Sequence, residues 1–141
     1  MYGRVTMAAL AVVFTPSLAR ARPTKPPLRR VSASPQNYAN ATGRVIDRIV
    51  IHTIEGSATG ALSWMRNSSS NVSSHYVVGY SGTIWQPVAD NNIAWHVGQL
   101  NSQSIGIEHE GYAWRNYWTD AEYRASAALT REWGVPTFAS L

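Results

Sequence analysis

Four histidines, His52, His75, His96 and His109, fall within one 58-residue stretch, and two carboxylates, Glu108 and Glu110, flank the last of them. Imidazole and carboxylate are the side chains from which a cysteine-free chain must build any metal site. This chain has no cysteine, so disulfide scaffolds, thiolate zinc fingers, cysteine nucleophiles and iron–sulfur ligation are all excluded. The metal-helix signature H-E-x-x-H is absent, as are a G-x-S-x-G elbow, a phosphate-binding P-loop and a G-x-G-x-x-G turn. Serine-hydrolase, nucleotide and dinucleotide chemistry therefore lose their usual carriers. On a strand, residues two apart share a face, which would put Glu108 and Glu110 together and turn His109 away. A carboxylate so placed can act as a general base, taking a proton from water as it attacks a carbonyl, above all where a metal lowers the water's pKa towards roughly 7. The alternative is two solvated acids at a strand end.

The elements that must position these groups can be read from the pattern. Val45, Ile46, Ile49, Val50 and Ile51 form a nearly continuous β-branched run ending at His52-Thr53, as in a strand covered on both faces. Ser57 is placed to cap a short helix reaching about Asn67, with Ala61, Trp64 and Met65 on one side. Residues 75–80 and 83–88 read as strands joined by Ser81-Gly82, a hairpin connection. Ser104 to Glu110 is a further apolar strand, and Thr119-Asp120-Ala121-Glu122 opens a helix with a capping box that Gly134 and Pro136 terminate. Strand, helix, hairpin, strand, helix describes an α/β (mixed α+β) domain: a central mixed sheet flanked by helices.

The 141 residues suit one domain, and 45% apolar against 14% charged residues excludes wholesale disorder. The net charge of +4 is unevenly placed. Residues 1–30 carry Arg4, Arg20, Arg22, Lys25, Arg29 and Arg30 and no acid, whereas residues 31–141 carry six arginines against eight acids, a net of −2. A folded nucleic-acid reader would carry its cations on the domain, so no nucleic-acid partner is expected. The leader, with Arg4, an apolar stretch from Val5 to Phe14 and Ala19-Arg20-Ala21, reads as a signal peptide over residues 1–21. Its apolar core is too short for a stable membrane span. Export, to the medium or the cell envelope, is expected. Residues 22–43, with four of the seven prolines, read as an exposed basic linker, and residues 44–141 as the domain.

Taken in series, IVIHTIEG (49–56), SSHYVV (73–78), IAWHVG (93–98) and NSQSIGIEHEG (101–111) resemble the type-2 N-acetylmuramoyl-L-alanine amidases, zinc amidases related to peptidoglycan recognition proteins. The resemblance runs from about residue 44 to 136. It implies cleavage of the amide between N-acetylmuramic acid and L-alanine in peptidoglycan, with Zn²⁺ as cofactor, and a monomer is the expected state. Carried over by position, His52 matches the first zinc ligand and Glu108 the catalytic carboxylate of the I-G-I-E segment. Other branches place a catalytic Tyr just before the hairpin histidine, where this chain has Ser74, so the base role falls to Glu108. His96 matches a histidine at the floor of the substrate groove, with Trp95 beside it as a second substrate-binding residue, while His75 reads as structural.

The family's second zinc histidine and its third ligand follow the last helix, in G-H-x-(D/E) and P-x-x-K-x-D-P-G segments that these 141 residues lack. Three readings follow. The sequence is an incomplete amidase domain without its C-terminal part, or His75 or His96 completes a different site, or the chain is a non-catalytic peptidoglycan-binding module. In the last case a groove lined by Trp64, Trp85, Trp95 and Trp114 would offer flat apolar faces to sugar rings and stem peptides.

Overall fold

The computed structural model describes residues 26–115, 117–134 and 136–139. The leader, 1–21, lies outside them, as does the start of the 22–43 segment. In chain order the elements are β1 (Arg29–Arg30), β2 (Tyr38–Ala39), β3 (Arg48–Thr53), α1 (Ala58–Arg66), β4 (Tyr76–Val78), β5 (Ile84–Gln86), β6 (Ile93–Ala94), β7 (Ser104–His109), α2 (Asp120–Trp133) and β8 (Thr137–Ala139). Single 3₁₀ turns cover Pro35–Asn37 and Gly98–Gln103. Six strands form one mixed sheet in the order β1-β5-β4-β7-β3-β8, and β2 pairs with β6 in a small separate ribbon. Within the main sheet β7 runs parallel to both β3 and β4, and β5 closes the expected antiparallel hairpin with β4.

The β-branched run of β3 is sandwiched because the two helices take opposite faces. Ala58, Leu62 and Met65 of α1 pack with Val77, Val88, Ala94 and Ala33. Ile49, Ile105, Ile107, Tyr76, Val78 and Ile84 pack with Leu129 of α2. Each helix starts where its cap residue dictates. Ser57 Oγ accepts from the Gly60 amide at 3.1 Å, and Thr119 Oγ1 accepts from the Glu122 amide at 3.1 Å. Gly134, with φ of 59°, takes the left-handed conformation that ends α2.

The segment expected to be an exposed linker is not one over its later half. Arg29 and Arg30 pair in parallel with Trp85 and Gln86, and Ala33, Ser34 and Asn37 are buried. Composition hid this, since two-residue strands have no hydrophobic period and the anchoring residue is polar. Asn37 is wholly buried, and its amide nitrogen donates to the carbonyls of Met65 and Asn67, both at 2.8 Å, while its oxygen accepts from the Asn71 amide at 3.2 Å. It therefore ties off the end of α1, whose last carbonyls need donors. Replacing Asn37 with Ala leaves the Met65 and Asn67 carbonyls with the Ser34 and Ser70 amides but removes three hydrogen bonds of the clamp, and is expected to cost about 1.5–4 kcal/mol in urea unfolding, at about 0.5–1.5 kcal/mol per bond. A loss under about 0.5 kcal/mol would show that the clamp is unimportant.

Candidate functional site

β3 and β7 align in parallel register, His52 beside Glu108 and Val50 beside Gly106. Paired residues on adjacent parallel strands point to the same face, and Val77, aligned with Glu108 on the other side, packs under α1. Glu108 thus lies on the α1 face of the sheet. There it lines an open cavity of about 380 Å³ together with Thr53 to Ser57, Gly60, Ala61, Trp64, Met65 and Val72. Burial, with no compensating cation, pushes its carboxyl up to about 7. A carboxylate poised near neutrality in a cleft with an apolar wall is suited to taking up a proton and returning it.

The histidines fall into three environments. His52 and His96 meet, with His52 Nε2 at 2.9 Å from His96 Nδ1 and the rings edge to face at 5.1 Å. Burial first, and then neighbouring histidines, holds His52 down to about 4 and His96 down to about 3. The His96 ring lies close against Gly106, where a Cβ would stand 2.5 Å from Cγ. His75 is fully buried with Nδ1 accepting from the Gly106 amide at 3.0 Å, so its Nε2 carries the proton and donates to the Asn92 carbonyl at 3.1 Å. Both ring nitrogens are thus engaged within the fold, with Arg44 Nη1 3.3 Å from Nε2. His109 points to the α2 face and donates from Nδ1 to the His52 carbonyl at 3.3 Å.

The two acids do not share a site. β7 ends at His109, and the Glu110 carboxylate turns aside to accept from the Ala58 amide at 3.1 Å and the Tyr80 amide at 2.9 Å. Ala58 is the first residue of α1, so Glu110 sits at the positive end of that helix and fastens it to the hairpin. Neither the paired-acid reading nor the solvated one describes it, because its partners are 30 and 52 residues away in sequence. The Ser74 hydroxyl is buried and donates to the Tyr76 carbonyl at 2.9 Å, away from any base role.

Of the four tryptophans named from sequence, Trp64 lines the cavity beside Glu108 and is 56% exposed. Trp85 packs against the α1 core, and Trp114 is exposed in the 111–119 loop. Trp95 is not among the cavity's lining residues. Its backbone exchanges hydrogen bonds with Ser73, whose Oγ accepts from its amide at 3.0 Å. Glu55 is a rim residue that sequence reasoning did not single out. Its carboxylate accepts from the Ala113 amide at 2.8 Å, and its φ of 57° marks a held turn.

A catalytic zinc takes three protein ligands and a water. Among the described residues no three His, Asp or Glu side chains come together as a ligand set, and His52 offers its Nε2 to His96. These residues alone do not complete a zinc site, whether by the family's pattern or by recruiting His75 or His96.

Comparison with known proteins supplies the context. The sequence model of one family, described as N-acetylmuramoyl-L-alanine amidase, matches residues 42–136. N-acetylmuramoyl-L-alanine amidase A of Achromobacter lyticus is 42% identical over 101 residues, which cover 70% of this chain and 56% of that protein. The chain thus spans little more than half the length of that curated relative. Among solved structures, N-acetylmuramoyl-L-alanine amidase LysC from Clostridium intestinale superposes with a TM-score of 0.63 at 18% identity, covering 81% of this chain and 82% of its own. Drosophila peptidoglycan recognition protein SA superposes with a TM-score of 0.66 at 17% identity, covering 81% and 80%. At such identities the superpositions establish the fold, a mixed sheet flanked by helices.

Proposed function

Because the chain belongs to the N-acetylmuramoyl-L-alanine amidase family, we propose that it hydrolyses the amide joining the lactyl group of N-acetylmuramic acid to the L-alanine of the stem peptide, with peptidoglycan as its partner. The observation that carries this reading is Glu108: a desolvated carboxylate at the floor of an open groove, held near neutrality. The groove binds the stem peptide along α1, and Trp64 stacks on it. Glu108 takes a proton from water as the water attacks the amide carbonyl, then returns it to the departing amine, so that a lactyl carboxylate and a free alanine amino group result. Every atom of this exchange comes from substrate and water.

Zinc dependence belongs to the same proposal. His52 is the ligand that the described residues offer, and further ligands would have to come from elsewhere. Export is proposed from the leader at 1–21. No helix among the described residues is long and apolar enough to cross a membrane. The second reading, binding without cutting, is favoured by one observation: among the described residues no three His, Asp or Glu side chains come together as a ligand set.

Calorimetric titration with an N-acetylmuramoyl-L-alanyl peptide tests the groove under both readings. Trp64→Ala is expected to weaken binding about 2- to 12-fold, the range of about 0.5–1.5 kcal/mol for removing a stacking aromatic. Unchanged affinity would place the substrate elsewhere. Chelation separates the readings: if it stops cleavage and added zinc restores it, the chain is a zinc enzyme, whereas binding with no cleavage under any metal condition identifies a binding module.

A further inference from the structure

Ser104 Oγ lies 2.7 Å from the Leu100 carbonyl and 3.1 Å from His96 Nε2. A hydroxyl has one proton and a carbonyl only accepts, so that proton goes to Leu100 and the Ser104 oxygen is left to accept from His96 Nε2–H. At pH 8, above the ordinary histidine range, the His96 ring is neutral and its Nδ1 then holds a lone pair. His52 Nε2, 2.9 Å from that atom, must be the donor of the pair. The proton of His52 is thereby fixed on Nε2, and Nδ1 becomes its basic nitrogen.

From this geometry we propose that Ser104 and His96 are positioning residues that set the tautomer of His52, so that His52 carries its proton on Nε2 and its lone pair on Nδ1. The segment leading to Glu108 is shaped for this task. Asn101 Oδ1 accepts from the amides of both His96, at 3.0 Å, and Val97, at 2.8 Å, which pins the backbone that carries the ring. Gly106 gives the ring its seat, since any side chain there would collide with it. His75, edge-on to His96 at 5.8 Å, engages the Gly106 amide with Nδ1 and the Asn92 carbonyl with Nε2, and Arg44 Nη1 lies 3.3 Å from that Nε2. In N-x-x-S-x-G-x-E, the first three positions (Asn101, Ser104 and Gly106) hold His96 and through it His52, and the fourth is the base, Glu108. Partners that fix a histidine's tautomer in this way are as much a part of a site as the residue they orient.

The bearing of this relay on turnover rests on the function proposed above, whereas the tautomer itself does not. Long-range proton–nitrogen correlation spectra of the ¹⁵N-labelled chain at pH 8 read the protonated nitrogen of each ring directly. The wild type is expected to show both His96 and His52 protonated on Nε2. Ser104→Ala should convert His52 from one tautomer to a mixture, and Ser104→Thr, which keeps the hydroxyl, should restore the single form. A wild-type His52 protonated on Nδ1 would overturn the proposal without recourse to any variant, as would an unaltered His52 in a folded Ser104→Ala protein. If the tautomers are as stated and no muramoyl amide is cleaved, the proposed function fails alone.

Discussion

Glu108→Gln is expected to lower muramoyl-amide cleavage by about 10²- to 10⁴-fold, roughly 3–5 kcal/mol of barrier at about 1.36 kcal/mol per tenfold, with substrate affinity nearly unchanged. The fold should tolerate it. Burial holds the Glu108 carboxyl at about 7 in the folded chain against an ordinary value of 4.5. The folded state therefore binds the extra proton between those values, and stability drains away as pH rises through that window. Glutamine removes this drain, so above pH 7 the variant should melt no lower than the wild type. The same shift sets the pH profile of the wild type. The base must be ionised, and cleavage should rise with pH with an apparent pKa near 7. Loss of turnover with retained or improved stability separates a base from a structural acid. Glu110→Gln should behave the other way, lowering stability because an amide group replaces one acceptor between Ala58 and Tyr80, with a much smaller effect on the chemical step. If Glu110→Gln were the more damaging to turnover, or Glu108→Gln turned over normally, the assignment of the base would be wrong.

Gly106→Ala should be the most damaging glycine-to-alanine change among the described residues. Its Cβ would stand 2.5, 2.6 and 2.7 Å from Cγ, Nδ1 and Cδ2 of His96, and the ring cannot retreat without leaving Ser104 and His52. Overpacking of this kind costs about 1–3 kcal/mol. Displacing His96 also takes away the hydrogen-bond partner of His52 Nε2 and frees that ring to turn, so cleavage should fall by at least about tenfold beyond what the stability loss explains. Urea unfolding and turnover measured on the folded fraction test both halves. Wild-type stability in this variant would mean that the ring does not rest on residue 106.

What could be read in the sequence was what is local. The caps at Ser57 and Thr119, the stop at Gly134 and the end of β3 at His52-Thr53 are each decided within a few residues and stand as expected, whereas β3 begins only at Arg48 and leaves Val45, the first residue of the β-branched run, exposed. The face of Glu108 followed from strand alternation. Asn37 and Glu110 escaped because their partners are 28 to 52 residues distant, and a polar residue gives no periodic sign of being buried. β1, β2 and β6 escaped because two residues cannot display a period. Gly106 lay in plain view within S-I-G-I-E, yet nothing in the sequence tells that the ring of His96, ten residues earlier, lies on it. Neither Trp95 nor His96, expected from the sequence to bind substrate, is among the residues that line the cavity around Glu108.

The central claim is that water, activated at Glu108, opens the bond between the lactyl carbonyl and L-alanine. Digestion of an N-acetylmuramoyl-L-alanyl peptide in H₂¹⁸O, followed by mass spectrometry of both products, tests it most directly. The account predicts one ¹⁸O on the lactyl carboxylate of the sugar and an unlabelled peptide beginning with a free L-alanine amine, both lost in Glu108→Gln. Label on the peptide, a cut within the glycan, or intact substrate bound but never opened would contradict it.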